Sequence, residues 1–266
     1  MFFRLLPATG VLLAIGLVAA SLQAQAPQTA KPAAIPRTAD GKPNLHGIWQ
    51  VRNRAQYGLE DHVARHGLKA GRSVVDGGTI PYQDWALKQR DENFLNRQER
   101  DPLNQCFLPG VPRIMYMDFP FQIFQTPTHI AMVFEWTQVF RMIYTNGSKH
   151  VEDIEFWMGD SRGRWEGDTL VVNVANFNDK TWFDMSGNFH SEQLTLEERY
   201  TMLDPDAIQY DVTFTDPKVF TRPWRISMPL YRHKDMPRLL EYQCVAEMEE
   251  AQGLFERDPL TWFPKP

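Results

Sequence analysis

The sequence lacks the short motifs that mark several common enzyme classes, and it contains only 2 cysteines. There is no P-loop, no H-E-x-x-H zinc motif and no G-x-G-x-x-G dinucleotide fingerprint. Cys106 and Cys244 cannot form a zinc site by themselves, because zinc needs more side-chain ligands than two thiolates. These absences exclude the best-marked NTPase, metalloprotease and dehydrogenase classes, and we expect neither a metal nor a cofactor.

An excess of basic residues is also missing. The chain has 28 Lys and Arg residues against 33 Asp and Glu residues, which gives a formal net charge of −5. Since no basic stripe is present, nucleic acid is not an expected partner. Hydrophobic residues make up 43% of the 266 residues, which suits one globular domain with a sizeable core.

The one long apolar run lies at the start of the chain. Arg4 precedes an apolar stretch from Leu5 to Ala20, and Ala24 and Ala26 form an A-x-A cleavage site. This pattern predicts a secretory signal peptide at residues 1–26, with an uncleaved anchor helix as the alternative. We therefore expect an exported protein, periplasmic or secreted, with no membrane span after signal cleavage.

After the signal peptide, the Pro-rich residues 27–43 predict a flexible tether, and residues 44–266 predict a single domain. An even number of cysteines in an exported protein predicts a disulfide between Cys106 and Cys244, although two free buried thiols are the alternative. The bridge would tie the start of the core to its last strand. In a chain-entropy view, closing so long a loop contributes about 4 to 5 kcal/mol.

Residues 45–113 are irregular and polar, with one short strand candidate, HGIWQV, and one helix candidate. The helix lies in PYQDWALKQRDENFLNRQERDP, where it is expected to begin near Pro81 and to end before Pro102. Its predicted buried side chains are Trp85, Leu87, Phe94 and Leu95.

From Phe119 onward, segments rich in β-branched and aromatic residues alternate with turn signals. Most connections are too short for crossover helices, so the strands are expected to be largely antiparallel. Such a meander closes into a barrel or folds into a sandwich, because both arrangements remove exposed edges. The predicted strands are HIAMVFEW, VFRMIYT, TLVVNVANF, EQLTLEERYTM, IQYDVTFT, PWRISMPLY and LLEYQCVAE.

The stretch NFNDKTWFDMSGNFHSEQLTLEERY, from Asn176 to Tyr200, concentrates titratable groups between two predicted strands. A histidine can act as acid or base near neutral pH, and a nearby carboxylate can orient it. Strand alternation places His190, Glu192 and Glu198 on a core-facing row, where carboxylates are costly unless paired or beside a cavity. A polar loop with internal hydrogen bonds is the alternative. The candidate catalytic residues are His190, Glu192, Asp184, Lys180 and Asp179.

Arginine and aromatic side chains elsewhere are candidates for binding a ligand. An Arg beside a Trp, as at Arg164, can form an anion or aromatic platform, although reinforcement of a hairpin is the alternative. Arg222 is a second candidate for binding a ligand, and a pairing with Asp216 is the alternative. Arg113 lies in the apolar segment CFLPGVPRIMYMDFPFQIFQTP, which predicts a lid or plug across one barrel end, and is expected to pair with a carboxylate. The candidate ligand-binding residues are Arg164, Trp165, Trp182, Phe183, Arg222, Trp224 and Arg113.

Several long strings resemble a family of exported bacterial proteins of similar length, mostly hypothetical. They are RWEGDTLVVNVANFNDKTWFD, GNFHSEQLTLEERY, TDPKVFTRPW and CFLPGVPRIMYMDFPFQIFQTP, and the resemblance extends from GIW to EYQC. It implies export but no particular activity. GIWQV also resembles the Gly-x-Trp motif of lipocalins, which implies a ligand cavity but no catalytic residues.

The sequence as a whole predicts a mainly β protein. An antiparallel meander would close into a lipocalin-like barrel, with an irregular, partly helical N-terminal layer. The expected function is to bind a small hydrophobic or aromatic molecule in the barrel cavity and to process it by non-redox acid/base chemistry, as a cofactor-independent lyase, isomerase or hydrolase. Two alternatives stay open: a non-catalytic carrier of a lipid or hydrophobic metabolite, and a structural or interaction protein with a filled barrel.

Overall fold

The computed structural model describes residues 34–251 of the chain. The predicted signal peptide and the first part of the predicted tether lie outside the described residues. Residues 34–43 lie against the barrel, where the Arg37 guanidinium donates to both carboxylate oxygens of Asp168 at 2.8 and 2.6 Å. None of the helices in the described part of the chain has the length and apolar character needed to cross a bilayer.

Within residues 34–251, nine strands form one closed barrel, in which each strand pairs with the next along the chain and β9 pairs with β1. All pairings are antiparallel except that of β4 with β5, which is parallel. The prediction of a mainly β chain that closes into a lipocalin-like barrel is therefore confirmed. The strands are β1 (Gly47–Val51), β2 (Phe121–Gln125), β3 (His129–Phe134), β4 (Phe140–Tyr144), β5 (Asp160–Glu166), β6 (Thr169–Ala175), β7 (Thr195–Asp204), β8 (Ala207–Thr215) and β9 (Trp224–Arg232).

Two strands differ from the sequence prediction. β2 lies in the Pro-rich segment that predicts a plug, and β5 lies in a Gly-containing string that indicates turns. The parallel pairing arises because residues 145–159 carry the chain back along the barrel before β5 begins, a connection longer than a hairpin needs.

The barrel wall separates inward-facing from outward-facing side chains along each strand. On β7, Leu196, Glu198 and Tyr200 face inward, as alternation predicts, and all three are buried. The inward row of β8 places Tyr210 directly across from Tyr200. Most inward-facing side chains are apolar and closed off from solvent, so the polar groups among them require partners.

One end of the barrel, named here the Trp49 end, is closed by an arginine over an indole. The Arg232 guanidinium lies 4.2 Å from the centroid of the Trp49 ring, and its Nε donates to the carbonyl of Pro205 at 2.9 Å. A Cβ on Gly47 would lie 2.0 Å from Arg232 Nη1. The glycine of the G-I-W string is therefore required for this approach.

The opposite end, where β9 begins at Trp224, is named the Trp224 end and is closed by residues 109–117. Met115 of this segment reaches inside the barrel, since its sulfur lies 3.9 Å from Arg141 Nη1. Arg113 is buried and forms two hydrogen bonds of 2.7 Å with the Asp101 carboxylate, which is the kind of pairing the sequence predicts. Although burial opposes its charge, Asp101 raises the pKa of Arg113 above its ordinary value.

The N-terminal layer contains the predicted helix, as α1 (Asp84–Leu95) followed by the short α2 (Arg97–Arg100). The prediction of its buried face is wrong, because Trp85, Leu87 and Leu95 are exposed and Phe94 is half-buried. The buried positions are instead Ala86, Asn93 and Arg97. The small side chain of Asn93 lies where the helix packs closely on Gly187, at which a Cβ would lie 2.7 Å from Phe94 N.

The disulfide between Cys106 and Cys244 is present, with 138 residues of sequence separation. The sequence predicts that Cys244 lies on the last strand, and this prediction is wrong. The segment LLEYQCVAE instead leads into α3 (Cys244–Ala251), because Ala, Glu and Met favour a helix over an extended strand. The bridge therefore ties a C-terminal helix to the layer over the Trp224 end.

Candidate functional site

Asp184 organises the connection between β6 and β7. Its buried carboxylate accepts hydrogen bonds from the backbone N–H groups of Leu59, Ser186 and Asn188, and from the side-chain amide of Asn188 at 2.5 Å. Burial raises the pKa of this carboxyl group, and the bonds from Asn188 and Leu59 offset part of the rise. None of the hydrogen bonds found in residues 34–251 joins Asp184 to His190. Asp184 therefore fixes the shape of the connection rather than orienting the histidine.

His190 is buried below this connection, with only 2% of its surface exposed. Its Nδ1 lies 2.9 Å from the Ser191 carbonyl and its Nε2 lies 2.7 Å from Thr181 Oγ1. Because a carbonyl only accepts, Nδ1 carries the proton of the neutral ring and Nε2 accepts from the hydroxyl. Burial lowers the pKa of His190 below its ordinary value, although Ser191 and Asp216 oppose the shift. Both nitrogens are thus occupied, and neither is open to a ligand.

Three other candidate catalytic residues lie at the surface. Glu192 accepts from Lys218 Nζ at 2.9 and 3.0 Å, and this contact lowers the pKa of the carboxyl group. The prediction that Glu192 points to the core is wrong, because β7 begins only at Thr195. Asp179 and Lys180 are exposed, so this stretch does not assemble a catalytic group around its histidine.

Two of the predicted ligand-binding aromatic residues, Phe183 and Trp224, pack against one another at the Trp224 end. Trp182, Phe183 and Trp224 are all buried. The Phe183 ring stacks on His190 with centroids 5.2 Å apart, and Trp224 stacks on Phe214 at 3.9 Å. These side chains form a solid aromatic cluster over the barrel end.

The predicted ligand-binding residues Arg164 and Arg222 lie outside the barrel. Arg164 donates to Glu166 and to Asn173, which is the hairpin reinforcement that the sequence left open. Arg222 is exposed and donates to the carbonyl of its neighbour Pro223, while Asp216 binds Ser191 instead. Trp165 faces inward near the Trp49 end and is half-buried. Neither arginine lies beside His190, so the predicted constellation is not assembled.

A polar cluster inside the barrel was only partly visible in the sequence. Arg141 forms a buried ion pair with Glu198, and its Nη2 also donates to Ser161 Oγ at 2.9 Å. Tyr200 and Tyr210 donate to the same Glu198 oxygen at 3.0 and 2.6 Å. Burial, together with the charge of Glu198, raises the pKa of both phenols well above their ordinary values. The cluster satisfies its own hydrogen bonds and is sealed from solvent.

The segment Gly159-Asp160-Ser161-Arg162-Gly163 matches the string G-x-S-x-G. The structural context does not fit a nucleophile elbow, which needs an exposed serine on a strand-to-helix turn. Ser161 instead lies within β5, faces the barrel interior and accepts from Arg141. Alternation places its neighbours Asp160 and Arg162 on the outer face of the same strand.

A histidine and a carboxylate meet at this outer face. His150 Nδ1 lies 3.0 Å from Asp160 Oδ2, which also accepts from Val151 N at 3.1 Å. Arg162 donates to the same oxygen from Nε and Nη2, at 3.1 and 2.9 Å. Asp160 is buried, whereas 32% of the His150 side chain is exposed. Because a carboxylate only accepts, Nδ1 of the neutral imidazole carries the proton and Nε2 keeps its lone pair.

A groove of about 910 Å³ begins one residue beyond His150. One wall is formed by residues 151–155, which are held to the end of β6 by a 2.6 Å hydrogen bond from Asn176 Nδ2 to the Val151 carbonyl. Its apolar lining includes Val151, Ile154 and Leu194, and its rim is acidic. The candidate site that the sequence does not reveal is thus a histidine that is oriented by a buried carboxylate and directly precedes the first lining residue of the groove, Val151. Searches against protein-family models, curated proteins and solved structures found no match for this chain.

Proposed function

We propose that this protein binds a small apolar molecule at the groove beside His150 and acts on it by acid/base chemistry. The observation that supports this proposal is the contact between His150 Nδ1 and the buried Asp160 carboxylate, 3.0 Å long, with the ring partly exposed. A carboxylate on one imidazole nitrogen fixes the tautomer and orients the other nitrogen for proton transfer.

Each residue of the site has a distinct role in this proposal. His150 takes a proton from the bound molecule at Nε2 and returns it later. Asp160 positions the ring, and Arg162 holds the Asp160 carboxylate through two hydrogen bonds. Val151 and Ile154 supply apolar contact, while carboxylates on the rim at Glu152 and Glu155 disfavour anions. A neutral or cationic substrate therefore suits the groove, in an elimination, an isomerisation or a hydrolysis.

The proposal is tested with nitrobenzisoxazole, a neutral aromatic molecule that a general base opens by removing one carbon-bound proton. We expect wild-type protein to accelerate this elimination beyond an equal concentration of imidazole, and His150→Ala to lose about 100-fold or more of that excess rate. Asp160→Asn should lower kcat more than it changes KM, because it misorients the base without removing it.

The matched control is His129→Ala. His129 is half-buried and its Nδ1 lies 2.8 Å from a hydroxyl, Thr128 Oγ1, rather than from a carboxylate. This variant should keep the wild-type rate. Equal rates for wild type and His150→Ala would refute the assignment of His150 as the base.

A second candidate function is a non-catalytic structural or interaction protein. The observation that favours it is the closure of both barrel ends, by Arg232 over Trp49 and by residues 109–117. This candidate predicts no rate above imidazole for the wild type, so the same assay separates the two.

A further inference from the structure

The outer wall near the Trp49 end carries a second groove, of about 790 Å³. It lies between the segment that follows β9 and the turn from β7 to β8. The groove lies at the Trp49 end. Asp160 lies at the opposite end, because the pairings of β5 to β9 place the start of β5 at the same end of the barrel as the start of β9. The groove therefore does not belong to the site of the proposed function. Its lining residues include Arg52, Asp206, Tyr231, Arg232, Lys234 and Arg238.

The charge of this groove is opposite to that of the chain. Four basic side chains line it against two acidic ones, whereas the whole chain has a formal net charge of −5. One of the two carboxylates, Asp206, already pairs with Lys234 at 2.5 Å and lies 3.7 Å from Arg232. In the part of the chain that the structure describes, no carboxylate lies within ion-pairing distance of Arg52 or Arg238. Two guanidinium groups are thus available to an anion.

The same groove has an apolar side. The Arg52 guanidinium lies 4.5 Å from the centroid of the Tyr231 ring. This contact holds the planar guanidinium beside the aromatic ring. Met236 and Pro237 line the groove beyond this pair, and Leu240 is exposed at its edge. A fork-shaped donor next to an aromatic ring matches a carboxylate that is attached to a flat apolar body.

We propose that this groove binds a small aromatic carboxylate, with its charge on Arg52 and Arg238 and its ring against Tyr231 and Leu240. The volume is in the range that small-molecule sites occupy, roughly 300 to 1,000 Å³. The anion supplies the guanidinium groups with the charge partner that they lack. The apolar wall distinguishes such a ligand from an inorganic anion, which would leave Tyr231 and Leu240 in water.

The test is calorimetric titration of the whole chain with three probes: naphthoate, the neutral naphthylmethanol and inorganic phosphate. We expect naphthoate to bind at least about tenfold more tightly than either of the other two, because only it offers both charge and ring. The double variant Arg52→Gln and Arg238→Gln should lose about tenfold or more of the naphthoate affinity. Because both side chains lie on the surface of the groove, the variant is expected to fold, which its circular dichroism spectrum verifies.

Arg222→Gln is the matched control, since Arg222 is also an exposed arginine but lies at the other end of β9. It should bind naphthoate as the wild type does. The proposal is overturned if the double variant binds naphthoate with wild-type affinity. It is equally overturned if the wild type binds naphthylmethanol or phosphate as tightly as naphthoate.

Discussion

His190 and His150 both lie at the Trp224 end of the barrel and both have polar partners, yet only one of them is open. His190 is 2% exposed and uses both ring nitrogens within the protein. His150 has one nitrogen on Asp160, and its side chain is 32% exposed. The same contrast separates the sealed pair of Arg141 and Glu198 from the exposed pair of Lys218 and Glu192. Polar groups whose partners are all internal hold the fold together, whereas a group with one free position can react.

The largest loss of stability is expected when the buried ion pair of Arg141 and Glu198 is broken. Glu198→Leu should lower the free energy of unfolding by about 3 to 5 kcal/mol, because Arg141 is then buried without a countercharge. Urea denaturation of the variant measures this loss. The double variant Arg141→Met and Glu198→Leu is the control, and it should recover much of the stability because no buried charge remains. Equal losses in the single and double variants would show that packing and the lost hydrogen bonds of Tyr200 and Tyr210, and not the unpaired charge, decide the effect.

The next largest loss of unfolding free energy is expected at His190, and it distinguishes this histidine from His150. His190→Ala should cost about 2 to 4 kcal/mol, since it removes a ring stacked on Phe183 and leaves the Ser191 carbonyl and the Thr181 hydroxyl without a partner. His150→Ala should cost less than about 1 kcal/mol, because water replaces its contacts at the surface. Both values come from the same denaturation series. A loss at His150 as large as the loss at His190 would contradict the division into sealed and open groups.

The strands could be predicted from the sequence because side-chain alternation directly encodes a two-faced wall. The inward orientation of Glu198 follows from the same alternation. The burial of His190 does not, because His190 lies in the connection before β7 begins. The sealing of His190 could not be predicted, since it depends on Phe183 in the connection and on residues 109–117, which are distant in sequence. The closed end at Trp49 likewise needs Arg232 from the last strand, which the G-I-W string alone does not indicate.

The candidate site was missed for a local reason. His150 can be recognised as a candidate only when Asp160 is placed on the outer face of a strand, whereas the glycines of this string, Gly163 and Gly167, indicate turns. The G-x-S-x-G string at the same position is centred on Ser161, which faces the barrel interior and not His150. The helix α1 shows the same limit: it buries Ala86 and Asn93 rather than the larger Trp85 and Leu87, and Asn93 lies where the helix packs closely on Gly187.

A smaller effect is expected in the pH dependence of stability. Burial lowers the pKa of His190 below its ordinary value of 6.5, so below that pH the unfolded chain takes up a proton that the folded chain does not. This contribution to stability is complete above pH 6.5 and is lost as the pH falls, by at most about 1.4 kcal/mol per pH unit. Denaturation across this range for wild type and His190→Gln isolates the contribution, because Asp184 and all other groups are shared. We expect the difference in stability between the two proteins to shrink as the pH falls, and a constant difference would contradict the lowered pKa.

The smallest effect is expected at the exposed pair of Lys218 and Glu192, which has the same chemistry as the sealed pair. The two side chains are 50% and 38% exposed, and their contact distances are 2.9 and 3.0 Å. Since water and salt screen such a pair and each side chain regains its freedom when the other is removed, Lys218→Gln should unfold at the same urea concentration as the wild type. Repeating both denaturation curves in high salt should leave them superimposed. If Lys218→Gln destabilised the protein as strongly as Glu198→Leu, then the exposure of a charged group would not determine its contribution, and the reason for preferring His150 over His190 would be lost with it.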